Sequence, residues 1–377
     1  MKTTTICLCY CGMQTAVPTS VLERFGLEVS SCTPVAGGLI NSTYRLQTVS
    51  HGTLLLQRLN TTVFKKPDIV EQNVKLAASY LSLSVERPLF LFLAPLETAS
   101  VGEEGVWRIF PFLEEAKSHS CCSTEGQAYA AAKEFGELSR RLSGCDLSGF
   151  REPLPHFHDL ATIFSAFEEA VGRINTSHPG RRAQANNVVD ALLSVAASIR
   201  KKYVELLETL PLRLVHRDAK IGNVLFTDED KGLCVCDLDT LAPGRIFSDV
   251  GDLVRTIVSP VSEEEADCSK VHMRPLFFRA VISGWLSEMA PLLTSSEVDS
   301  IAFSGILIVF MQALRFCTDF LSGDEYYQVS HDLHNLERAR NQVALLSDML
   351  EQQQSLDSIV KEELKKHRKD YEVLNSS

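Results

Sequence analysis

The sequence predicts an α+β fold of two lobes: a small β-rich lobe at the N-terminal end, then a larger, mostly helical one. Three observations carry this. Strand-like segments broken by Gly, Ser and Asn turns dominate the first 113 residues. From about Glu125 onward apolar residues recur at helical spacing. One run, Val215 to Asp239, interrupts apolar stretches only at isolated polar residues, among them His216, Asp218, Asn223 and Asp237.

Residues 1–20 read as a weakly ordered leader. Lys2 is the only basic residue before Pro18 and no small-x-small cleavage site precedes it, so the signal-peptide pattern is poor. Residues 21–113 form the β-rich lobe. The Ala36-Gly37-Gly38 turn leads into a strand over Leu39–Leu46, and Ser50-His51-Gly52 into Leu54–Leu59. Pro67-Asp68 opens a helix with Ile69, Asn73, Leu76, Ala77 and Tyr80 on one face. Trp107–Leu113 is a further strand, in which Pro111 breaks regular pairing. Residues 110–116 read as a hinge to the helical lobe, 114–377. There Gln127–Leu142 is an Ala-rich helix ending at Gly144, and Gln184–Leu210 is the next. Further helices are expected near 248–258, 274–291, 296–320 and 335–352, with Thr294-x-x-Glu297 as a capping box. The longest apolar run, Ile301–Leu314, is too short for a bilayer and reads as a buried helix. The tail Lys361–Ser377 is charged and expected to fray at its end.

Composition narrows the function. A chain of 377 residues with 45% hydrophobic and 23% charged residues is ordinary for a globular protein. The net charge of −11 argues against nucleic acid or an anionic membrane as main partner, but not against ATP, whose phosphates magnesium and local donors can handle. The eleven cysteines follow no disulfide framework, and Cys7-x-Cys9-x-Cys11 has no second ligand pair for a metal. Free thiols in a reducing compartment, the cytoplasm, are expected. Cys234 and Cys236, two apart in a strand, face one side of it as core residues do.

The Val215–Asp239 run offers the carboxylate of Asp218, the carboxamide of Asn223 five residues on, and the carboxylate of Asp237 fourteen residues later. Phosphoryl transfer from ATP uses this equipment: one Asp orients or deprotonates the attacking hydroxyl, while an Asn and an Asp hold Mg2+. Asp218 is thus the candidate catalytic residue, Asn223 and Asp237 the metal ligands, and the cleft between the lobes the ATP site. Asp239 is either a second carboxylate of the metal or substrate shell or a buried ion pair. His216 is expected to bond the loop backbone. Lys220 either neutralises transferring phosphate or is a surface lysine. Asp249 is expected to brace the loop. Arg315 sits at the end of a strongly apolar helix and needs a partner there, which Asp319, four residues on, can supply. Phe316, Phe320 and Tyr327 read as core.

His216-Arg217-Asp218-x-Lys220-x-x-Asn223 matches the catalytic loop of protein kinases, but the chain has no Gly-x-Gly-x-x-Gly loop, Val-Ala-Ile-Lys strand, Asp-Phe-Gly or Ala-Pro-Glu. With Asp237-Leu238-Asp239 in place of Asp-Phe-Gly it resembles the aminoglycoside phosphotransferase-like, choline kinase-like family of small-molecule kinases. Within that family it resembles the bacterial N-acetylhexosamine 1-kinases. The resemblance rests on Gly38–Tyr44, Leu56-Gln57-Arg58-Leu59-Asn60-x-x-Val63-Phe64, Pro155–Asp159 and Asp237-Leu238-Asp239-Thr240-x-x-Pro243-Gly244. It continues with Asp249-Val250-Gly251-Asp252-x-x-Arg255, Arg315–Tyr327 and His334–Gln342, covering most of 36–345.

What the resemblance implies is a protein-kinase-like two-lobe fold and ATP- and Mg2+-dependent phosphorylation of the anomeric hydroxyl of N-acetylglucosamine or N-acetylgalactosamine. It assigns Asn41, Gln57, Arg58, Glu71 and Phe112 to the nucleotide, and Asp239, Arg315 and Tyr326 to the sugar. The chain departs from the family's pattern at three positions. Leu39 stands where relatives carry His, Arg217 is unusual between His and Asp, and Gln57 stands where many phosphotransferases have a strand lysine. Arg58 points to the opposite face of a regular strand, and either residue could approach the phosphates. Competing readings are a kinase of another small alcohol (an aminoglycoside, choline or homoserine) and a nucleotide-binding pseudokinase. The retained Asp218, Asn223 and Asp237 count against the latter.

Overall fold

The computed structural model describes residues 17–35, 40–83, 90–173 and 180–376, with backbone only for Arg173 and for 370–376. The leader over residues 1–16, its three cysteines, and the Ala36–Leu39 turn lie outside the described residues. The first lobe begins with α1 (Thr19–Arg24) and builds an antiparallel sheet from β1 (Val29–Pro34), β2 (Ser42–Thr48) and β3 (Thr53–Arg58). After α2 (Pro67–Ser82), β4 (Glu97–Ser100) and β5 (Val106–Pro111) complete it in the order β1-β2-β3-β5-β4. Period-two alternation gives the sheet two faces. Tyr44, Leu46, Leu54, Leu56, Trp107 and Ile109 bury one face together with Val21 of α1. Thr43, Gln57 and Arg108, in register across β2, β3 and β5, lie on the other. Neither α1 nor β4 was expected, and at six and four residues they are too short to show a period.

The helical lobe comprises α3 (Glu125–Arg141), α4 (Leu160–Arg173), α5 (Arg181–Thr209), β6 (Arg213–Val215), β7 (Val224–Phe226), β8 (Gly232–Val235) and β9 (Ala242–Gly244). It continues with α6 (Phe247–Ile257), α7 (Pro275–Met289), α8 (Ser295–Ser322), α9 (His334–Glu351) and α10 (Gln353–Ser376). The antiparallel pairs β6–β9 and β7–β8 frame the polar run. The segment after β5 is fastened to this lobe by a backbone bridge between Lys117 and Phe226.

At the centre lies α8, packed by α4, α5, α6 and α9. It is the one helix among the described residues long and apolar enough to cross a membrane, and it is buried. Its expected capping box forms: Thr294 Oγ1 accepts from Glu297 N–H, and Glu297 accepts from Thr294 N–H. Glu297 is fully buried and also holds the guanidinium of Arg213. Gly251 lets α6 approach α8, because a Cβ there would lie 2.4 Å from the Ser304 carbonyl oxygen.

Two expectations change. No helix was expected over α4, although Leu160, Ile163, Phe164 and Phe167 are buried at helical spacing. The charged tail belongs to a helix, α10, that was not expected. Leu356, Ile359 and Val360 bury one stripe, and Arg279 of α7 pairs with Glu362 and Glu363 at 2.8 and 2.9 Å. High charge density masked that stripe.

Glu134 of α3 faces β8, where a Cβ on Gly232 would lie 2.5 Å from its side chain. Burial, reinforced by the neighbouring Glu137, raises its pKa from 4.5 to about 7. Folded Glu134 therefore holds its proton more tightly than the unfolded chain does. Its contribution to stability is full below pH 4.5 and is lost as pH rises through about 7. We predict that Glu134→Gln raises the melting temperature by about 2 °C at pH 8 and hardly at all at pH 5. Equal shifts at both pH values would contradict this account.

Candidate active site

β6 delivers the chain from the core into a loop that Asp249 holds from the first turn of α6. Its Oδ2 accepts the His216 N–H at 2.9 Å and its Oδ1 the Arg217 N–H at 2.7 Å. Asp249 thus braces the loop as expected. Thr240 Oγ1 donates to the His216 carbonyl at 2.6 Å. The His216 ring serves the backbone too: Nε2 donates to the Cys236 carbonyl at 3.0 Å, and Nδ1 accepts the Asp218 N–H at 3.3 Å. These partners fix its tautomer. Arg217, at φ 70, takes a left-handed conformation that a non-glycine side chain resists, so the Asp249 clamp holds a strained turn.

The turn presents Asp218 to the cleft. Lys220 Nζ lies 2.7 Å from its Oδ2, and Asn223 Nδ2 donates to Oδ2 at 2.9 Å and to the Asp218 carbonyl at 2.8 Å. Burial pushes the Asp218 pKa up, but Lys220, His216 and Asn223 together bring it to about 2. The Cys236 N–H donates to the Asn223 carbonyl at 2.9 Å, joining the two halves of the polar run beside Asp237. Asp237 also sits in the left-handed region, at φ 59. Its carboxylate has no hydrogen-bond partner among the described residues. Asp237 is exposed, yet the protein packed around it, with Asp239 and Asp218 close by, raises its pKa.

Among the described residues no three His, Cys, Asp or Glu side chains gather to hold a metal. The Asn223 carboxamide oxygen and the unpartnered Asp237 carboxylate nonetheless suit Mg2+, which takes one or two protein oxygens and completes its shell with water and phosphate.

Asp239 lies 4% exposed and forms the ion pair that was one of its two readings. Arg108 grips it with both arms, Nη1 to Oδ1 at 2.6 Å and Nη2 to Oδ2 at 2.8 Å, and Asn41 Nδ2 donates to Oδ2 at 2.8 Å. Asn41 Oδ1 accepts the Asn60 N–H at 2.9 Å, tying the start of β2 to the end of β3. Gln57 faces the cleft, accepting from Arg108 and donating to Thr43 Oγ1 at 3.2 Å. Arg58 is exposed on the opposite face, with its guanidinium 5.9 Å from the Trp107 ring centroid. Glu71 pairs with Lys75 of its own helix. Phe112 lies under the Arg45 guanidinium, 4.5 Å away. α2 is anchored to the helical lobe by Asn73, which donates to the carbonyls of Arg151 and Leu241 at 2.7 and 2.8 Å.

Beyond Asp218 lies a wall of cations. Arg315 donates to the Phe157 carbonyl and sits 4.4 Å over its ring; Arg217 flanks the same ring at 5.9 Å and lies 3.6 Å from Glu152. The expected Arg315–Asp319 pair is absent. Gly323 ends α8 in a left-handed turn, so the chain folds back and Asp319 accepts the N–H groups of Tyr326 and Tyr327 at 2.8 and 2.9 Å instead. Asn335 Nδ2 donates to it as well, at 2.9 Å. Tyr326 is 66% exposed, while Phe316 and Phe320 are core as expected. His158 lies behind Phe157. Burial and the two arginines drive its pKa well down, and its buried Nδ1 has no partner.

Residues 31–268 match the family described as Phosphotransferase enzyme family. The chain belongs to this phosphotransferase family. Its fold matches solved structures of low identity. The aminoglycoside phosphotransferase from Alicyclobacillus acidocaldarius is 9% identical, with TM-score 0.62 over 94% of this chain and 98% of that one. A spectinomycin phosphotransferase in complex with ADP and spectinomycin is 12% identical, with TM-score 0.58 over 93% and 99%. Choline kinase from Cryptosporidium parvum is 14% identical, with TM-score 0.52 over 88% and 93%. The two-lobe kinase-like fold read from the sequence is therefore the fold of this phosphotransferase.

Sequence reasoning missed Arg108, Phe157 and His158 as members of the phosphotransferase's cleft. Arg108 did leave a signal. In Trp107-Arg108-Ile109 it is the one charged residue inside an apolar strand, on the face opposite the two buried neighbours. Phe157 and His158 lay in the Pro155–Asp159 stretch that carries the resemblance, but no period marks a loop and nothing there pointed to the cleft.

Asp249→Ala leaves two buried N–H donors unmet, at about 1–3 kcal/mol each. We expect a lower urea midpoint and faster hydrogen exchange in peptides spanning 214–224. Unchanged exchange there would remove Asp249 as the clamp.

Proposed function

We propose that this phosphotransferase uses ATP and Mg2+ to phosphorylate a hydroxyl of a neutral polyhydroxylated molecule, N-acetylglucosamine or N-acetylgalactosamine, at the anomeric oxygen. The observation that carries the kinase reading is the junction of Asp218, Lys220, Asn223 and Asp237 in one cleft. Asn223 and Asp237 would hold the metal, whose charge offsets that of the triphosphate. With its pKa near 2, Asp218 accepts a hydrogen bond from the attacking hydroxyl and aims it; the proton follows late, as the oxygen becomes acidic. Lys220 keeps Asp218 ionised until then. On the sheet side, Gln57 rather than Arg58 borders the nucleotide, with Asn41 and Phe112.

The acceptor class follows from charge. Arg217 and Arg315, which flank the Phe157 ring, make the wall beside Asp218 repel a cation. That disfavours choline and aminoglycosides and suits a neutral sugar, to which Arg315 and His158 can offer hydrogen bonds. Tyr326, at the mouth, would close over the ring.

We expect phosphorus NMR to detect a sugar 1-phosphate from either N-acetylhexosamine, and no product from choline or spectinomycin. Turnover of a cationic acceptor alone would overturn the substrate class and leave the kinase reading standing. Asp218→Asn should collapse turnover while leaving ATP affinity nearly unchanged. Arg315→Ala should raise the sugar KM about tenfold or more, the ATP KM far less, once circular dichroism confirms the fold. Equal rises in both would remove Arg315 from the sugar pocket.

A further inference from the structure

In protein kinases a lysine on the third strand pairs with a glutamate on the following helix, and this pair couples the sheet lobe to the phosphate site. This chain lacks the arrangement. β3 turns Gln57 to the cleft and Arg58 away from it, and Glu71 spends its charge on Lys75. No ion pair joins α2 to β3 among the described residues. A cation nevertheless stands at the same level of the sheet, one strand over. Arg108 of β5 is the direct cross-strand partner of Gln57 and shares its face.

We propose that Arg108 is the positioning residue that couples the sheet lobe to the metal-holding turn in this phosphotransferase. The inference rests on the reading of Asp237 as a metal ligand. Arg108 is 3% exposed, and its fork closes on Asp239, two residues after Asp237. Gln57 supports the fork from β3, and Asn41 brings the start of β2 to the same carboxylate. Arg108 and Asn41 thus meet on one side chain, with Gln57 bracing Arg108, in the turn whose first residue, Asp237, is held left-handed at φ 59. A buried ion pair adds little stability compared with an apolar pair of the same volume. Its effect here is geometric: it fixes where the Asp237 carboxylate points and ties that direction to lobe closure. Arg108 Nε remains a buried donor without a partner, so the guanidinium has a further N–H to give when the cleft fills.

The test compares Arg108→Lys, which keeps the charge but loses the fork, with Arg108→Gln. The Mg2+ requirement of phosphorylation and the melting shift produced by Mg2+ with AMP-PNP are measured on the folded fraction of each. We expect the Mg2+ requirement to rise about 10- to 100-fold in Arg108→Gln and by less in Arg108→Lys, with the acceptor KM little changed. A purely structural pair would lower the melting temperature and leave the Mg2+ requirement of the folded enzyme as in wild type, and that result overturns the inference. If Arg108→Gln does not fold, Arg108→Lys decides on the same criterion. A wild-type protein that shows no shift with Mg2+ and AMP-PNP would overturn the kinase reading itself, and this inference with it. A wild-type shift reproduced unchanged in both variants, with an unchanged Mg2+ requirement, would overturn only the role of Arg108.

Discussion

One carboxylate, Asp249, accepts two consecutive backbone N–H groups and so holds the His216–Asn223 turn in a conformation it would not keep alone. Arg217 bears the strain, and His216 and Thr240 seal the turn from within. Everything the cleft does chemically hangs on that anchor, because Asp218 and Asn223 gain their directions from the turn. The anchor depends in turn on α6 lying close against α8, which Gly251 permits.

The cleft gathers three carboxylates, Asp218, Asp237 and Asp239, that repel one another. Two are answered by dedicated cations, Lys220 for Asp218 and Arg108 for Asp239. Asp237 is left unanswered at the open face of the cleft, and its two like-charged neighbours favour a cation at that point. The Phe157 side is the reverse: Arg217 and Arg315 crowd one aromatic ring, with Glu152 and Asp249 near Arg217. Two arginines thus lie on one side of Asp218 and two further carboxylates on the other.

The sequence disclosed the grouping of polar residues better than its surroundings. Asp218, Asn223 and Asp237 were legible because their spacing reflects the reach of one loop and one hairpin. The long helices were legible from periodicity, and the Thr294 cap from its four-residue signature. What stayed hidden depends on contacts distant in sequence. Arg108 and Asp239 are 131 residues apart, and nothing local links them. The Arg315–Asp319 pairing failed because a backbone turn at Gly323 outcompeted a side chain four residues away. α4 and α10 escaped notice for compositional reasons, α4 lying beyond a loop and α10 under dense surface charge.

The burial of α8 also bears on how the chain is made. Its partners α4, α5 and α6 precede it in synthesis, but α9 follows. During translation α8 therefore emerges with one flank matched and the other an apolar stripe of membrane-like character, uncovered until the next helix arrives. An interval of exposed apolar surface is when a nascent chain is most prone to aggregate or to engage chaperones. The capping box at Thr294 and the Glu297–Arg213 pair set the N-terminal end of α8 against β6 before that interval ends, so the helix has a seat before it has a cover.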